Sequence, residues 1–311
     1  MKKNDVIYVL KLSLIFVLTV YLFDKIVYLG LEELNNNVFT GQSGGKVNQF
    51  LREKDEIDLV VFGSSRANHH IDTSKLSDNS FNIGMDGAKI ASAATLLLNL
   101  PENKKQTVLF HLSPAYAFDS LYDGDDIKAL SKLSNQNSII KKEFEQLEKT
   151  TFLKKFFWTL NFNGSSLGLL KNYFYPKNDV KEYKGYDPIT VTEQQKNIFK
   201  NISKKKTNII CPDVFQLNPI YKKYINDIDT FCKNNNKRLI IFTAPIYKDD
   251  CKNDDNAIEH FLNSKRITYW NLTDMFQNNR SLKNWRDNSH LSSEGAEIFT
   301  DSIKVRLTHN K

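Results

Sequence analysis

From residue 58 onward, short apolar runs alternate along the chain with segments that have a helical period. A rhythm of strand, helix and strand is typical of right-handed crossovers, which build a parallel sheet with helices on both faces. We therefore predict a three-layer α/β domain of the flavodoxin-like kind. The predicted strands are 58–62, 80–83, 107–112, 238–243 and 267–271, and the predicted helices are 90–100, 218–234, 255–264 and 292–307.

The rhythm stops between about residues 116 and 217. This part contains helical, aromatic-rich stretches such as IIKKEFEQLEKTTFLKKFFWTL, and no strand–helix–strand unit is recognisable in it. We interpret it as a largely helical insertion into a domain over 57–311, which forms a cap over the carboxyl edge of the sheet. Its aromatic residues form the insertion's own core, or its basic and aromatic face contacts a membrane or a partner protein.

The N-terminus contains an apolar stretch from Val6 to Phe23, interrupted by Lys11. This length is close to the minimum that crosses a bilayer core of ~30 Å. No small-residue cleavage site follows Phe23, so the pattern favours an uncleaved signal anchor over residues 1–24, with a polar connector over 25–56. A buried N-terminal helix of a soluble protein is the alternative.

Basic residues predict the orientation of this anchor. Lys2, Lys3 and Lys11 precede the apolar centre, whereas Lys25 is alone just after it. The positive-inside rule then places the N-terminus in the cytoplasm and the domain that follows outside it, with the membrane as a partner.

Composition narrows the class of partner further. The 311 residues carry a formal net charge of +7, but the lysines are scattered and no arginine-rich stripe or zinc-finger spacing occurs. We therefore predict no nucleic-acid partner. The mild net positive charge suits an anionic glycan or a membrane surface equally well. The sequence points to no cofactor and no metal.

Three cysteines, Cys211, Cys232 and Cys251, lie too far apart for a CxxC redox or zinc motif. In an extracytoplasmic domain Cys211 and Cys251 could pair and leave Cys232 free, although the sequence does not determine the connectivity.

Three polar segments stand at the ends of predicted strands or before the last helix. They are Gly63-Ser64-Ser65-Arg66, Asn82-Ile83-Gly84-Met85-Asp86-Gly87 and Asp287-Asn288-Ser289-His290-Leu291. Ligand sites in open parallel sheets lie beyond the carboxyl ends of the strands, so these segments are expected to converge.

A serine becomes a nucleophile when a base accepts its proton and a carboxylate orients that base. Ser65, His290 and Asp287 supply these groups, and the backbone amides of Ser65 and Gly87 could hold a developing oxyanion. Each segment also has an ordinary explanation. Gly-Ser-Ser is a common turn, and Asp-x-x-His before a helix can simply cap it.

Five other polar or aromatic positions are candidates for a binding or a structural role. Arg66 could bind a substrate carboxylate or phosphate, or form a structural ion pair with Asp86 or Asp119. Trp285 could form the floor of a sugar site or belong to the core, and Asn82 is a further candidate for substrate binding. We interpret His69 and His70 as polar surface residues, because the side chains of adjacent residues diverge too far to share a metal.

Strand–Gly-x-Ser, then Asn-x-Gly-x-x-Gly, then a C-terminal Asp-x-x-His-Leu resembles the SGNH (GDSL) hydrolase family over residues 57–115 and 218–307. The resemblance implies that Ser65 is the nucleophile, with Ser64 in the place of the family's aspartate. It further implies that Gly87 is the oxyanion glycine of the second block, His290 the base and Asp287 its orienting carboxylate.

Gly-Ser-Ser, a single N-terminal anchor and the closing HLSSEGA are similar to a membrane-tethered branch of that family. The branch includes the D-alanyl transfer protein of teichoic acid modification and the SGNH-like proteins of alginate acetylation, which act beside a membrane-bound O-acyltransferase. One departure is clear. The family's third block, Gly-x-Asn-Asp, is replaced by HLSPAYAFD over 111–119, so the oxyanion asparagine is missing or supplied elsewhere.

The resemblance implies an extracytoplasmic enzyme that moves an acyl group, most simply acetyl, to or from a cell-envelope or exported polysaccharide through an acyl-serine. The alternatives are a plain carbohydrate esterase or deacetylase, and a catalytically inactive module that binds a glycan or an acyltransferase partner.

Overall fold

The computed structural model describes residues 3–176, 178–180, 182–204, 211 and 215–309, and the chain divides into two compact units. We call residues 1–48 and 130–179 the helical unit, and residues 49–129 and 180–311 the sheet unit. The predicted insertion at 116–217 therefore contributes residues to both units.

The sheet unit contains five parallel strands in the order β2-β1-β3-β4-β5. Each lies within a residue or two of its predicted bounds, which confirms the parallel α/β sheet. The strands are β1 (Leu59–Phe62), β2 (Ser80–Asn82), β3 (Gln106–His111), β4 (Lys237–Thr243) and β5 (Thr268–Asn271).

Twelve α-helices lie in the described part of the chain. They are α1 (Lys3–Asn36), α2 (Lys46–Glu53), α3 (Ser65–His70), α4 (Ile90–Leu97), α5 (Pro114–Ala117), α6 (Ser138–Gln146), α7 (Phe152–Phe156), α8 (Ser166–Phe174), α9 (Glu193–Ser203), α10 (Pro219–Asn234), α11 (Lys252–Ser264) and α12 (Ser293–His309). Short 3₁₀ helices cover Thr73–Lys75, Asp125–Leu133, Trp158–Phe162 and Leu282–Asn284, and a π-helical turn covers Gly41–Gly45.

Both faces of the central strands are buried. Alternate side chains point to opposite faces of a strand, and Leu59 and Val61 join a core cluster with Phe299 and Ile303 of α12. Val60 and Phe62 point the other way and are also buried. Continuous apolar strands of this kind are typical of a parallel sheet covered on both sides.

The N-terminal helix is longer than the predicted anchor. α1 continues through Asn36, and its 34 residues are about 51 Å long at ~1.5 Å per residue. Large apolar side chains are exposed along it from Val6 to Leu29. Among the described residues, α1 is the one helix long and apolar enough to cross a membrane, which is consistent with an anchor or a signal sequence.

The aromatic residues of the insertion have two environments within the helical unit. Tyr28 of α1 packs against Phe162 and Trp158, with ring centroids 5.8 Å and 5.3 Å away, and Phe162 is fully buried. Phe152 and Leu153, in contrast, are 78% and 58% exposed. Part of the aromatic content therefore forms a local core, and part remains at the surface.

The cysteines adopt the pairing considered from the sequence. Cys211 and Cys251 form a disulfide with their Cα atoms 5.5 Å apart, and Cys232 of α10 is buried and unpaired.

Candidate active site

Ser65 is the first residue of α3, immediately after β1. The chain turns at Gly63, where φ is +139° and a Cβ atom would lie 2.6 Å from the Cβ of His111. Only glycine fits this turn without displacing β3. Ser64 then caps α3, because its Oγ accepts a hydrogen bond from the amide of Arg66 at 3.3 Å. The turn and the cap together fix where Ser65 stands at the end of the strand.

His290 meets Ser65 from the loop before α12. His290 Nε2 lies 2.8 Å from Ser65 Oγ, and His290 Nδ1 lies 3.0 Å from each carboxylate oxygen of Asp287. The structure therefore brings together the three residues that the sequence singled out, although 225 positions separate Ser65 from His290. A tight turn holds the loop, in which the amide of Arg286 donates to the carbonyl of His290 at 2.9 Å.

The carboxylate of Asp287 is held in its ionised form. Burial opposes ionisation, but hydrogen bonds from the His290 ring and from the amides of Ser289 and His290 outweigh it and lower the pKa of Asp287 to about 2. An ionised Asp287 accepts the Nδ1 proton of His290, which leaves Nε2 unprotonated and able to accept the proton of Ser65.

The two amides predicted to form an oxyanion site are available. Neither the amide of Ser65 nor that of Gly87 donates to an acceptor among the described residues. Gly87 has φ +74°, and a Cβ atom there would have no neighbour within 4 Å. Glycine at this position is thus required by backbone conformation, not by lack of space.

The loop that carries Gly87 is fastened to α3 and β1. Asn82 is fully buried, and its Nδ2 donates to the carbonyls of Ala67 at 2.7 Å and Ile71 at 2.8 Å, while its Oδ1 accepts from the amide of Gly84. Both amide hydrogens and the oxygen are in use, so the geometry supports a positioning role. Direct contact between Asn82 and a substrate stays a prediction.

Arg66 points away from solvent and lies against the end of β3. It is 9% exposed, and its Nη2 donates to Ser113 Oγ at 2.6 Å. Burial lowers the pKa of the guanidinium. Of the two interpretations of Arg66, the structural ion pair with Asp86 or Asp119 is not formed in the described structure. Asp86 instead lies 2.9 Å from His69 Nε2, and Asp119 lies 4.0 Å from Lys89 Nζ.

His111 and Ser113 are polar residues of the site that the sequence did not single out. Ser64 Oγ lies 3.1 Å from His111 Nδ1, so a second serine–histidine pair stands next to the first. Burial, with the positive charge of Arg66 nearby, holds the pKa of His111 well below its ordinary value, and the ring is neutral. Both residues lie at or just after the carboxyl end of β3, and that position could have marked them as candidates from the sequence.

Trp285 is fully buried and packs against Tyr247 and Phe276, with ring centroids 5.6 Å and 5.5 Å away. Packing in this core accounts for the position of Trp285, and a sugar could contact the indole only after the core opened. Sugar binding by Trp285 stays a prediction.

The interpretation of His69 and His70 as surface residues was wrong, since they are 8% and 0% exposed. His70 Nε2 accepts from the amide of Leu291 at 3.0 Å, which fixes the residue after His290. His69 contacts Asp86 and the carbonyl of Asp187. Burial disfavours its charged form, but these two contacts outweigh burial and raise the pKa of His69. Both histidines are buried because α3, which carries them, is covered on more than one side.

An apolar cavity of about 440 Å³ lies beside the loop that carries Asp287. It is lined by Gln195, Ile198, Phe199, Ile202, Arg286, Asp287 and Asn288. Within the described residues, no group of three or more His, Cys, Asp or Glu side chains is placed to hold a metal ion.

The chain matches no protein-family model, and no curated protein matches it.

Proposed function

We propose that this protein is a membrane-anchored, extracytoplasmic acyl-transfer enzyme that works through an acyl-Ser65 intermediate. The observation that carries the proposal is the unbroken chain of contacts from Asp287 through His290 to Ser65, with 3.0 Å and 2.8 Å between the polar atoms. The backbone amides of Ser65 and Gly87 donate to no acceptor among the described residues, and the two residues follow the neighbouring strands β1 and β2. The strand order β2-β1-β3-β4-β5 fits the three-layer flavodoxin-like arrangement of SGNH-type enzymes.

In the first half-reaction, Ser65 Oγ attacks the ester carbonyl of the acyl donor while His290 Nε2 accepts the Oγ proton. The carbonyl oxygen becomes an oxyanion that accepts hydrogen bonds from the amides of Ser65 and Gly87. When the tetrahedral species collapses, the bond to the donor's alcohol breaks. His290 returns the proton to that alcohol, and the acyl group stays on Ser65.

In the second half-reaction, an acceptor hydroxyl takes the donor's place. His290 Nε2 accepts its proton, the acceptor oxygen attacks the acyl-Ser65 carbonyl, and Ser65 leaves with the proton restored. A sugar hydroxyl as acceptor gives O-acyl transfer to an envelope or exported polysaccharide, with acetyl as the simplest acyl group. Water as acceptor gives an esterase or deacetylase.

The missing third-block asparagine is compatible with this mechanism. Removal of one oxyanion donor costs about 10²–10³-fold in turnover, which slows such an enzyme without abolishing it. The buried guanidinium of Arg66 and the Ser113 hydroxyl occupy the end of β3 and keep positive charge close to the site.

Two features support the proposed location. α1 is long enough to cross a bilayer core of ~30 Å, and the basic residues Lys2, Lys3 and Lys11 favour an orientation with its start in the cytoplasm. The Cys211–Cys251 disulfide suits an oxidising compartment outside the cytoplasm. A membrane-bound O-acyltransferase that supplies the acyl donor is the partner this location allows.

The test is active-site labelling of the full chain in detergent with a fluorophosphonate probe, together with turnover of p-nitrophenyl acetate. We expect labelling in the wild type, none in Ser65→Ala, and a rate at least about 10³-fold lower in His290→Ala. Ser64→Ala separates the two adjacent serines, because it removes the hydroxyl that caps α3 and should lower the labelling without abolishing it.

Labelling that persists in Ser65→Ala would contradict the assignment of the nucleophile. No labelling and no turnover in the wild type would favour the inactive module that binds a glycan or an acyltransferase. With activity present, an acetylated oligosaccharide product distinguishes transfer from hydrolysis, which releases acetate alone.

A further inference from the structure

The helical unit contains a second cavity, of about 340 Å³, whose lining is basic. This volume lies within the range of roughly 300–1,000 Å³ that small-molecule sites occupy. Three lysines line the cavity against a single carboxylate, and the indole of Trp158 forms part of its wall. The lining residues are Ser134, Asn135, Lys141, Phe144, Glu145, Thr150, Lys154, Lys155, Trp158 and Asn161.

The wall of this cavity is attached to α1 where the apolar stretch of that helix ends. Tyr21 packs against Phe156 with ring centroids 4.8 Å apart, and Lys25 Nζ stands 4.2 Å from the centre of the Trp158 ring. The carboxylate of Asp24 accepts from the amides of Trp158 at 2.8 Å and Thr159 at 3.2 Å. With the proposed anchor ending near Phe23, α7 and Trp158 would lie near the level where α1 leaves the hydrocarbon.

The surface next to the cavity is apolar. Phe152 and Leu153, at the start of α7, are 78% and 58% exposed, and Trp158 is 36% exposed. Two apolar residues followed by Lys154 and Lys155 form a short amphipathic segment. Aromatic residues and lysines at this depth are typical of the membrane–water interface, where the ring enters the headgroup layer and the cation meets anionic lipid.

We propose that this cavity holds the phosphate-bearing headgroup of an anionic phospholipid, in the outer leaflet around α1. The inference rests on the proposed membrane anchor. Lys141, Lys154 and Lys155 would contact the phosphate, and Phe152 and Leu153 would enter the acyl region beside the bound lipid. Free phosphate in solution explains the lysines but not the exposed apolar pair, and it gives no reason for the attachment of the cavity to α1.

The experiment titrates the full chain, purified in an uncharged detergent, with dihexanoyl-phosphatidylglycerol and separately with dihexanoyl-phosphatidylcholine. Tryptophan fluorescence reports binding, because Trp158 lines the cavity while Trp270 and Trp285 are 7% and 0% exposed. The test variant is Lys141→Gln/Lys154→Gln/Lys155→Gln. The matched control is Lys142→Gln/Lys149→Gln/Lys171→Gln, which removes the same charge from positions outside the cavity lining.

We expect the wild type to bind phosphatidylglycerol at least about tenfold more tightly than phosphatidylcholine. Each lysine removed from the cavity should weaken phosphatidylglycerol binding about fivefold, because a lysine near an anionic surface contributes about 1 kcal/mol. The control variant should keep the preference of the wild type. The three single substitutions provide graded losses if the triple variant folds poorly.

Equal binding of the two lipids by the wild type, or an unchanged preference in the test variant, would overturn the proposal. Glycerol 3-phosphate that competes as strongly as phosphatidylglycerol would also overturn it, since a soluble anion would then be the ligand. Fluorophosphonate labelling of Ser65 in the same samples separates this inference from the proposed chemistry. A wild type that is labelled but shows no preference for phosphatidylglycerol contradicts the headgroup site alone, and a wild type that shows the preference but no labelling contradicts the enzyme alone.

Discussion

Replacement of Asp287 by asparagine is expected to reverse the tautomer of His290. Asp287 Oδ1 accepts from the amides of Ser289 and His290, both at 2.9 Å, and both Oδ1 and Oδ2 lie 3.0 Å from His290 Nδ1. The two amides occupy the lone pairs of Oδ1, which leaves Oδ2 as the acceptor for the Nδ1 proton. The asparagine oxygen must stay with the two amides, which can only donate. Its NH₂ group then faces Nδ1 and donates to it, so the ring proton is forced onto Nε2.

A protonated Nε2 cannot accept the proton of Ser65 Oγ, which lies 2.8 Å away. Loss of the correct tautomer in a serine triad lowers turnover by about 10⁴-fold, which corresponds to about 5 kcal/mol of transition-state stabilisation. We therefore expect Asp287→Asn to lower kcat for p-nitrophenyl acetate by about 10³–10⁴-fold and to change KM little, because the substitution alters no surface that binds the ester.

Ser289→Ala is the control in the same loop. Ser289 Oγ lies 3.2 Å from both Asp287 Oδ1 and His290 Nδ1, but it contributes no charge and does not determine the tautomer. Its loss should lower kcat less than about tenfold, as expected for one neutral hydrogen bond. If Asp287→Asn keeps its thermal unfolding midpoint and its kcat stays within about tenfold of the wild type, then Asp287 does not orient His290.

Three further predictions concern the supports of the site. Gly87→Ala should cost about 1–2 kcal/mol of unfolding free energy and also lower kcat, since φ is +74°. Gly164→Ala, at φ +76° with equally open space, should lose similar stability in urea unfolding with kcat unchanged. Equal kcat values in the two variants would argue against an oxyanion role for Gly87. His69 has a raised folded-state pKa, so its contribution to stability is complete below its ordinary pKa of 6.5 and disappears as the pH rises through the folded value. His69→Gln should therefore destabilise the protein more at about pH 5.5 than at about pH 8.5 in urea unfolding, and equal losses would refute the protonated ion pair with Asp86. Trp285→Ala should lower the free energy of unfolding in urea by about 3–5 kcal/mol, because the indole is fully buried. A raised KM for a sugar acceptor with unchanged stability would instead point to sugar contact.

Several parts of the site were predictable from local pattern. β1 is four buried apolar residues followed by Gly63, and such a run with a glycine at its end predicts both the strand and the turn. Asp287 and His290 are three residues apart in one loop, so their contact at 3.0 Å needed little knowledge of the rest of the chain. Ser65 could be nominated because the carboxyl ends of parallel strands share an edge.

Other parts were not predictable, because they depend on neighbours that are distant in sequence. His70 reads as a polar residue in a short helix, yet it is fully buried because α12 packs over α3 and the amide of Leu291 needs an acceptor. One interpretation of Arg66 was an ion pair with Asp86 or Asp119, but in the structure its Nη2 donates to Ser113 Oγ after the end of β3, and Asp86 contacts His69 instead. No local pattern encodes which of several possible partners the fold supplies.

The sequence by itself determined the parallel α/β sheet, its five strands, the long apolar N-terminal helix and the serine, histidine and aspartate of the candidate site. These follow from the period of apolar residues and from short motifs, which are local properties of the chain. The tertiary structure alone decided that Ser65 meets His290 at 2.8 Å, that His111 and Ser113 stand at the end of β3, and that a basic cavity lies beside the end of the apolar stretch of α1. The physical reason is that contact distance, burial and partner choice arise from packing between segments far apart in the chain, and one-dimensional pattern carries no information on which segments meet.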